Sequence, residues 1–129
     1  MIAVDTNVIV RLLTGDEAKQ ARRAQQLFER ETIFLPKTVL LEAEWVLRRL
    51  YGFAPRRVID AFGNLIALPN VRCEDVSAVG VALEWGRRGI DFADALHVAS
   101  SRDAADFASF DGALLRRGRR IAGMNLVPV

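Results

Sequence analysis

Five short apolar runs, separated by longer stretches of helical periodicity, constrain the fold of this chain more than any other feature. The runs cover residues 2–4, 33–35, 71–73, 106–110 and 125–127. Runs this short, bounded by polar or turn residues, are typical of strands buried on both faces. Strands that alternate with helices predict an α/β fold, with a central parallel sheet of four to five short strands and helices on both faces.

The stretches between these runs carry apolar residues at helical spacing. Predicted helices span residues 7–13, 17–30, 38–51, 55–67, 74–88, 92–102 and 112–116. Asp16 stands where a residue would cap the second helix, and Pro55 opens the fourth. The chain has 129 residues, of which 51% are apolar, and it contains no linker or repeat. We therefore expect a single domain over residues 1–129.

The composition also narrows the cellular setting. The single cysteine, Cys73, excludes an internal disulfide, and no apolar run approaches the about 18 residues needed to cross a membrane. No basic segment precedes the apolar residues that follow Met1, as it would in a secretory signal. These features predict a cytoplasmic protein that does not associate with a membrane.

The basic residues are grouped, although the net charge is only +2. Adjacent arginines occur at 22–23, 48–49, 56–57, 87–88, 116–117 and 119–120. Arginine binds phosphate through its planar, permanently charged guanidinium group. The same pairs are also typical of ordinary solvated helix faces, so they permit a nucleic-acid partner without establishing one.

Four acids follow the predicted strands. Asp5 ends the first run and Asp111 follows the fourth. Asp94 lies in the first turn of the sixth predicted helix, and Glu42 lies in the early part of the third. In open parallel sheets, functional sites lie beyond the carboxyl ends of the strands. We therefore expect these four carboxylates to converge at that edge.

Each acid also has an ordinary structural interpretation. Asp5 can cap the short helix after it, and Asp111 before Gly112 has common turn chemistry. Asp91 and Asp94 resemble a capping pair. Four converging carboxylates would, however, repel by a few kcal/mol per pair unless a divalent cation neutralised them. Oxygen ligands without histidine or cysteine favour Mg²⁺ or Mn²⁺, ions that serve phosphodiester hydrolysis.

Four motifs along the chain match one known family in their order and spacing. They are IAVDTNV at 2–8, LPKTVLLE at 35–42, GIDFADALHVA at 89–99 and FASFD at 107–111. With these motifs the chain resembles PIN-domain ribonucleases, particularly VapC-type toxins of type II toxin–antitoxin systems, over essentially its whole length. The resemblance implies a PIN-like three-layer α/β fold and a Mg²⁺- or Mn²⁺-dependent endoribonuclease.

The resemblance also assigns the metal site. It implies that Asp5, Glu42, Asp94 and Asp111 hold the metal ions. Asp5 and Asp94 would be the main ligands, and Asp111 would complete the cluster. Glu42 would help to orient or deprotonate the attacking water.

Further polar residues flank these acids. The resemblance implies that Thr6 and Asn7 support the first acid through hydroxyl and amide contacts. Ser109 stands where the family commonly has threonine, and it keeps the hydroxyl. Asp91 is a fifth acid, which caps its helix or joins the surroundings of the site. We interpret His97 as a packed or supporting residue, because the family works with carboxylates alone.

The resemblance further implies RNA as the substrate, a cognate antitoxin protein as a partner, and a homodimer. The predicted helices 38–51 and 55–67 would form the walls of the antitoxin groove. Their larger apolar side chains are candidate anchors or, alternatively, ordinary core residues: Trp45, Leu50, Tyr51, Phe53 and Phe62.

Two other functions stay open. A PIN fold that has lost catalysis would serve only as a binding module, although all four acids are present here. A phosphatase with Asp5 as its nucleophile is the second alternative. Such an enzyme would have a second aspartate where this chain has Asn7, and a later phosphate-binding lysine, whereas the only lysines are Lys19 and Lys37.

Overall fold

Seven helices and five short strands alternate along the chain in the computed structural model, which describes all 129 residues. The chain divides into two compact units, Met1–Val76 (unit 1) and Ser77–Val129 (unit 2). The predicted α/β class is confirmed, and all strand pairs are parallel. The strands form a three-stranded sheet and a two-stranded sheet, which are smaller than the central sheet we expected. That the chain forms one domain stays a prediction.

Unit 1 contains the first three strands and the first four helices. They are β1 Ile2–Ala3, α1 Thr6–Thr14, α2 Ala18–Arg30, β2 Ile33–Leu35, α3 Lys37–Arg49, α4 Pro55–Ile66 and β3 Val71–Cys73. The order in the sheet is β1-β2-β3, and Ile33 of the central strand pairs with Ile2 on one side and Val71 on the other. The sequence predicted each of these elements with ends displaced by no more than two residues.

The core of unit 1 is built from the central strand and the apolar faces of the helices. Its fully buried side chains include Ile9, Ile33, Leu35, Leu40 and Phe62. The expectation of a buried first strand is wrong, since Ile2 is 40% exposed. β1 has only two residues and lies at the edge of its sheet, so the helices do not cover it.

The candidate antitoxin anchors differ in their environments. Phe62 is completely buried and is therefore a core residue that cannot anchor a partner. Trp45 and Leu50, by contrast, are 51% and 69% exposed. The core interpretation thus holds for Phe62 and fails for these two.

Two predicted helix starts are wrong. Glu17 rather than Asp16 caps α2, because Arg11 and Tyr51 bind the Asp16 carboxylate. The fifth helix, α5 Val76–Arg87, begins two residues later than expected. Its predicted start fails because Asp75 adopts a left-handed backbone with φ of 47°, which a helix cannot include.

Most of α5 lies in unit 2, and the remaining elements are α6 Phe92–Ala99, β4 Phe107–Ser109, α7 Gly112–Gly118 and β5 Leu126–Pro128. β4 pairs with β5 in parallel. Trp85 is buried and belongs to the core of this unit. The last predicted turn of α6 is absent, because the Ser101 hydroxyl donates to the His97 carbonyl and ends the helix. No helix of the chain is long and apolar enough to cross a membrane.

Candidate active site

The first candidate acid, Asp5, follows β1 and caps α1. Its Oδ1 accepts a hydrogen bond from the Val8 amide at 3.3 Å, and the side chain stays exposed. Asn7 is also exposed on the first turn of α1. The capping interpretation of Asp5 is therefore confirmed, and it leaves Oδ2 free for a second role.

Glu42 lies in the second turn of α3 and is exposed. The buried hydroxyl of Thr6 donates to Glu42 Oε1, a contact that joins α1 to α3. Thr6, which we expected to support Asp5, therefore supports Glu42 instead. Because Thr6 is only 8% exposed, it holds the Glu42 carboxylate in a fixed position.

A further acid on α3 was missed by the sequence reasoning. Glu44 is 4% exposed and accepts from Arg48 Nε at 2.8 Å. The signal was available, since Glu followed four residues later by Arg is a typical helical ion pair. Because this carboxylate is already paired within its own helix, we assign it to the fold.

In unit 2, Asp91 caps α6 and Asp94 lies in the first turn. Asp91 Oδ2 accepts from the Asp94 amide at 3.2 Å, which confirms the capping interpretation of Asp91. The Asp94 carboxylate accepts no hydrogen bond from the chain. Burial raises the pKa of Asp94, and the nearby carboxylates of Asp91 and Asp111 raise it further. His97 acts in the opposite direction and lowers it.

His97 itself is exposed, so the expectation of a packed residue is wrong. It lies three residues after Asp94, where its side chain shares the face of that acid. The electrostatic effect on Asp94 is compatible with a supporting role.

Asp111 follows β4 and caps α7. Its Oδ1 accepts from the amides of Ala113 and Leu114 at 2.9 and 3.1 Å. Ser109 Oγ accepts from the Asp111 amide at 2.9 Å, so the serine fixes the backbone of this acid. The residue between them, Phe110, is 84% exposed and was missed by the sequence reasoning, which treated it as part of a strand.

The donor set fits a hard divalent cation in its chemistry. All candidate ligands are carboxylates, and Asp94 combines partial burial, two neighbouring acids and no hydrogen-bond donor. A cation would relieve that unfavourable charge. Within neither unit, however, do three or more His, Cys, Asp or Glu side chains lie close enough to hold an ion by themselves.

Comparison with known proteins gives one family. The family model described as "PIN domain" matches residues 2–120, a range that contains all four motifs. A search of curated proteins finds no significant match. Among solved structures, the chain is similar to the crystal structure of VapC20 from Mycobacterium tuberculosis, described as a toxin that cleaves the sarcin–ricin loop. The two are 24% identical, with 92% of this chain and 95% of that chain covered and a TM-score of 0.46.

Proposed function

Since the chain belongs to the PIN domain family, we propose that it is a divalent-metal-dependent endoribonuclease. The observation that carries this proposal is the state of Asp94. The side chain is partly buried, its pKa is raised by burial and by Asp91 and Asp111, and the chain offers it no hydrogen-bond donor. A partly buried carboxylate with a raised pKa and no hydrogen-bond donor is better suited to bind a cation than to stabilise the fold.

In this proposal Asp5, Glu42, Asp94 and Asp111 hold Mg²⁺ or Mn²⁺. When bound, the ion polarises a phosphoryl oxygen and stabilises the charge that develops on hydrolysis. Glu42 orients the attacking water and accepts its proton at Oε2, while the Thr6 hydroxyl occupies Oε1.

The caps fix the other ligands. Asp5 and Asp111 each direct one oxygen to backbone amides at a helix start, which restricts their rotamers and leaves the other oxygen for the ion. Ser109 Oγ holds the backbone of Asp111. Ligands positioned in this way need little reorganisation on binding.

We further propose that the enzyme is the toxin of a cytoplasmic toxin–antitoxin pair and acts as a homodimer. The four motifs that resemble VapC-type toxins support this assignment. The exposed Trp45 and Leu50 on and after α3 are suited to the apolar contacts of an antitoxin.

The decisive experiment measures cleavage of total RNA by purified protein with Mg²⁺, Mn²⁺ or EDTA. Loss of residues that merely support metal ligands typically costs about 10–100-fold, so we expect Asp94→Asn to lose at least about 100-fold. Asp103→Asn, which makes the same change on the exposed surface, should cleave like the wild type. Full activity of Asp94→Asn would refute the assignment.

A thermal measurement separates the enzyme from an inert binding module. Mg²⁺ at about 100 times its Kd should stabilise the wild type by about 2.7 kcal/mol, but Asp94→Asn much less. In EDTA, Asp94→Asn should melt above the wild type, since an ionised carboxylate with a raised pKa destabilises the folded state. Metal binding without cleavage of any RNA would favour the inert module.

A further inference from the structure

Unit 2 contains a cavity of about 610 Å³ whose wall is strongly basic. Its lining residues are Arg88, Gly89, Arg116, Arg117, Arg120 and Ile121, and we refer to it as the arginine cavity. Four arginines and no acidic residue line it. A cavity of this composition is suited to an anion.

None of the four arginines is paired with an acid. None of them forms a salt bridge, whereas Arg11, Arg48 and Arg87 each pair with an acid. The only side-chain hydrogen bond among the four runs from Arg88 Nη2 to the Arg120 carbonyl oxygen, at 3.4 Å. Because all four arginines are exposed and pair with no acid, their charge is available to a polyanion.

The arginine cavity is connected to Asp111 by a short helix. α7 has seven residues, which corresponds to about 10 Å along its axis. Arg116 bends back toward the start of α7, because its Nη1 would lie 3.1 Å from a Cβ placed on Gly112. The basic surface therefore extends to the residue directly after Asp111.

An exposed aromatic side chain stands at the other side of Asp111. Phe110 is 84% exposed, although it is large and apolar. Exposed aromatic rings beside cationic groups are typical of surfaces that bind single-stranded nucleic acid, because bases stack on the ring and phosphates pair with the cations. An acidic peptide would use the arginines but would have no comparable use for the ring.

We infer that Phe110, helix α7 and the arginine cavity form a track for single-stranded RNA. In this arrangement a base stacks on Phe110, and phosphates a few nucleotides along the strand bind in the arginine cavity. The inference rests on the proposed ribonuclease function and adds to it, since it names the surface that positions the substrate beside Asp111.

The test is RNA binding without cleavage. Fluorescence anisotropy would measure the affinity of a short labelled oligoribonucleotide of mixed sequence in EDTA, over a series of salt concentrations. The variant Arg117→Gln/Arg120→Gln removes two cavity charges. Arg119→Gln/Arg49→Gln removes the same charge from exposed arginines that do not line the cavity.

We expect the cavity variant to bind about 10-fold more weakly and the control variant to stay within about twofold of the wild type. The slope of log K against log salt is negative, and its magnitude should decrease by about 0.7 for each phosphate that the variant no longer binds. Phe110→Ala should weaken binding by about fivefold or more and leave the salt slope unchanged, because stacking releases no counterions. Melting temperatures of all variants would show that they are folded.

Three results would overturn the inference. They are equal losses of affinity in the cavity and control variants, no RNA binding by the wild type, and competition by poly-glutamate as effective as competition by RNA. The cleavage assay with Mg²⁺ tests the ribonuclease proposal separately. If the wild type cleaves RNA and the cavity variant cleaves it equally well, the track is refuted and the enzyme is not.

Discussion

The two units use their charged side chains in opposite ways. In unit 1, charged side chains form ion pairs and hydrogen bonds between different elements. Arg11 Nη1 binds Asp16 Oδ1 at 3.1 Å, and Tyr51 donates to Asp16 Oδ2 at 2.6 Å. Lys37 Nζ pairs with Asp75 Oδ2 at 3.3 Å. These contacts link helix ends and loops to one another, so the charges of unit 1 serve the fold.

Unit 2 leaves its most important charges without such partners. The arginines of the arginine cavity form no salt bridge, and Asp94 lies near other acids without a hydrogen-bond donor. The raised pKa of Asp94 means that its ionised form lowers the stability of the fold in the absence of a ligand. The charges of unit 1 contribute to stability, whereas our two proposals assign the unpaired charges of unit 2 to a cation and to phosphate.

The largest predicted effect on stability comes from comparing a phenylalanine-to-alanine substitution in unit 1 with the same type of substitution in unit 2. Phe62→Ala in the fully buried core of unit 1 should lower the free energy of unfolding by about 3–5 kcal/mol, because apolar burial is removed and a cavity remains. Phe110→Ala in unit 2 should change it by no more than about 0.5 kcal/mol, because the ring is 84% exposed. Urea titration measures both. Similar changes in the free energy of unfolding would mean that the ring of Phe110 supports the fold, and the difference between the two units would not hold.

A smaller effect on stability separates the role of Asp111 as a helix cap from its proposed role as a metal ligand. Asparagine caps helices about as well as aspartate, so Asp111→Asn should keep stability within about 0.5 kcal/mol while cleavage falls. Asp111→Ala also removes the cap of α7 and should cost about 1 kcal/mol more. Urea titration and the RNA cleavage assay would be run on the same samples. Equal stability of the two variants would show that the cap contributes little.

Much of the fold follows from local sequence. The runs at 33–35 and 71–73 became β2 and β3 without displacement, because short apolar segments between helices have few other ways to be buried. Asp5 and Asp111, which follow strands, were found at helix starts, where their carboxylates accept hydrogen bonds from free amides. Cap and ligand use the same residue types, so the sequence alone could not separate these roles.

The misjudged residues depend on contacts between distant positions. Asp16 looks like a cap, but Arg11 and Tyr51, the latter 35 residues away, determine its position. The buried Phe62 and the exposed Trp45 are both large apolar residues on amphipathic helices, and only packing against neighbouring elements distinguishes them. The arginine cavity likewise depends on Arg88 and Arg120 meeting across 32 residues.

The smallest predicted effect concerns the network around Asp16. The hydrogen bond from Tyr51 is the main cause that lowers the pKa of Asp16 below 3.8, with Thr14 next. A carboxyl with a lowered pKa in the folded state stabilises the protein above its unfolded pKa and loses that contribution as the pH falls through its folded pKa. Tyr51→Phe should therefore lower the melting temperature slightly at pH 7, and the difference from wild type should shrink below about pH 4.

A double-mutant comparison isolates this contribution from the other acids, which also titrate at low pH. In an Asp16→Asn background no carboxylate faces Tyr51, so Tyr51→Phe should change the melting temperature by the same amount at every pH. If the difference between wild type and Tyr51→Phe were equally large at pH 3 and pH 7, the Tyr51 hydroxyl would act through Arg11, to which it is also bonded at 2.8 Å. The charges of unit 1 would then stabilise the fold through the guanidinium group, whose protonation does not change in this pH range.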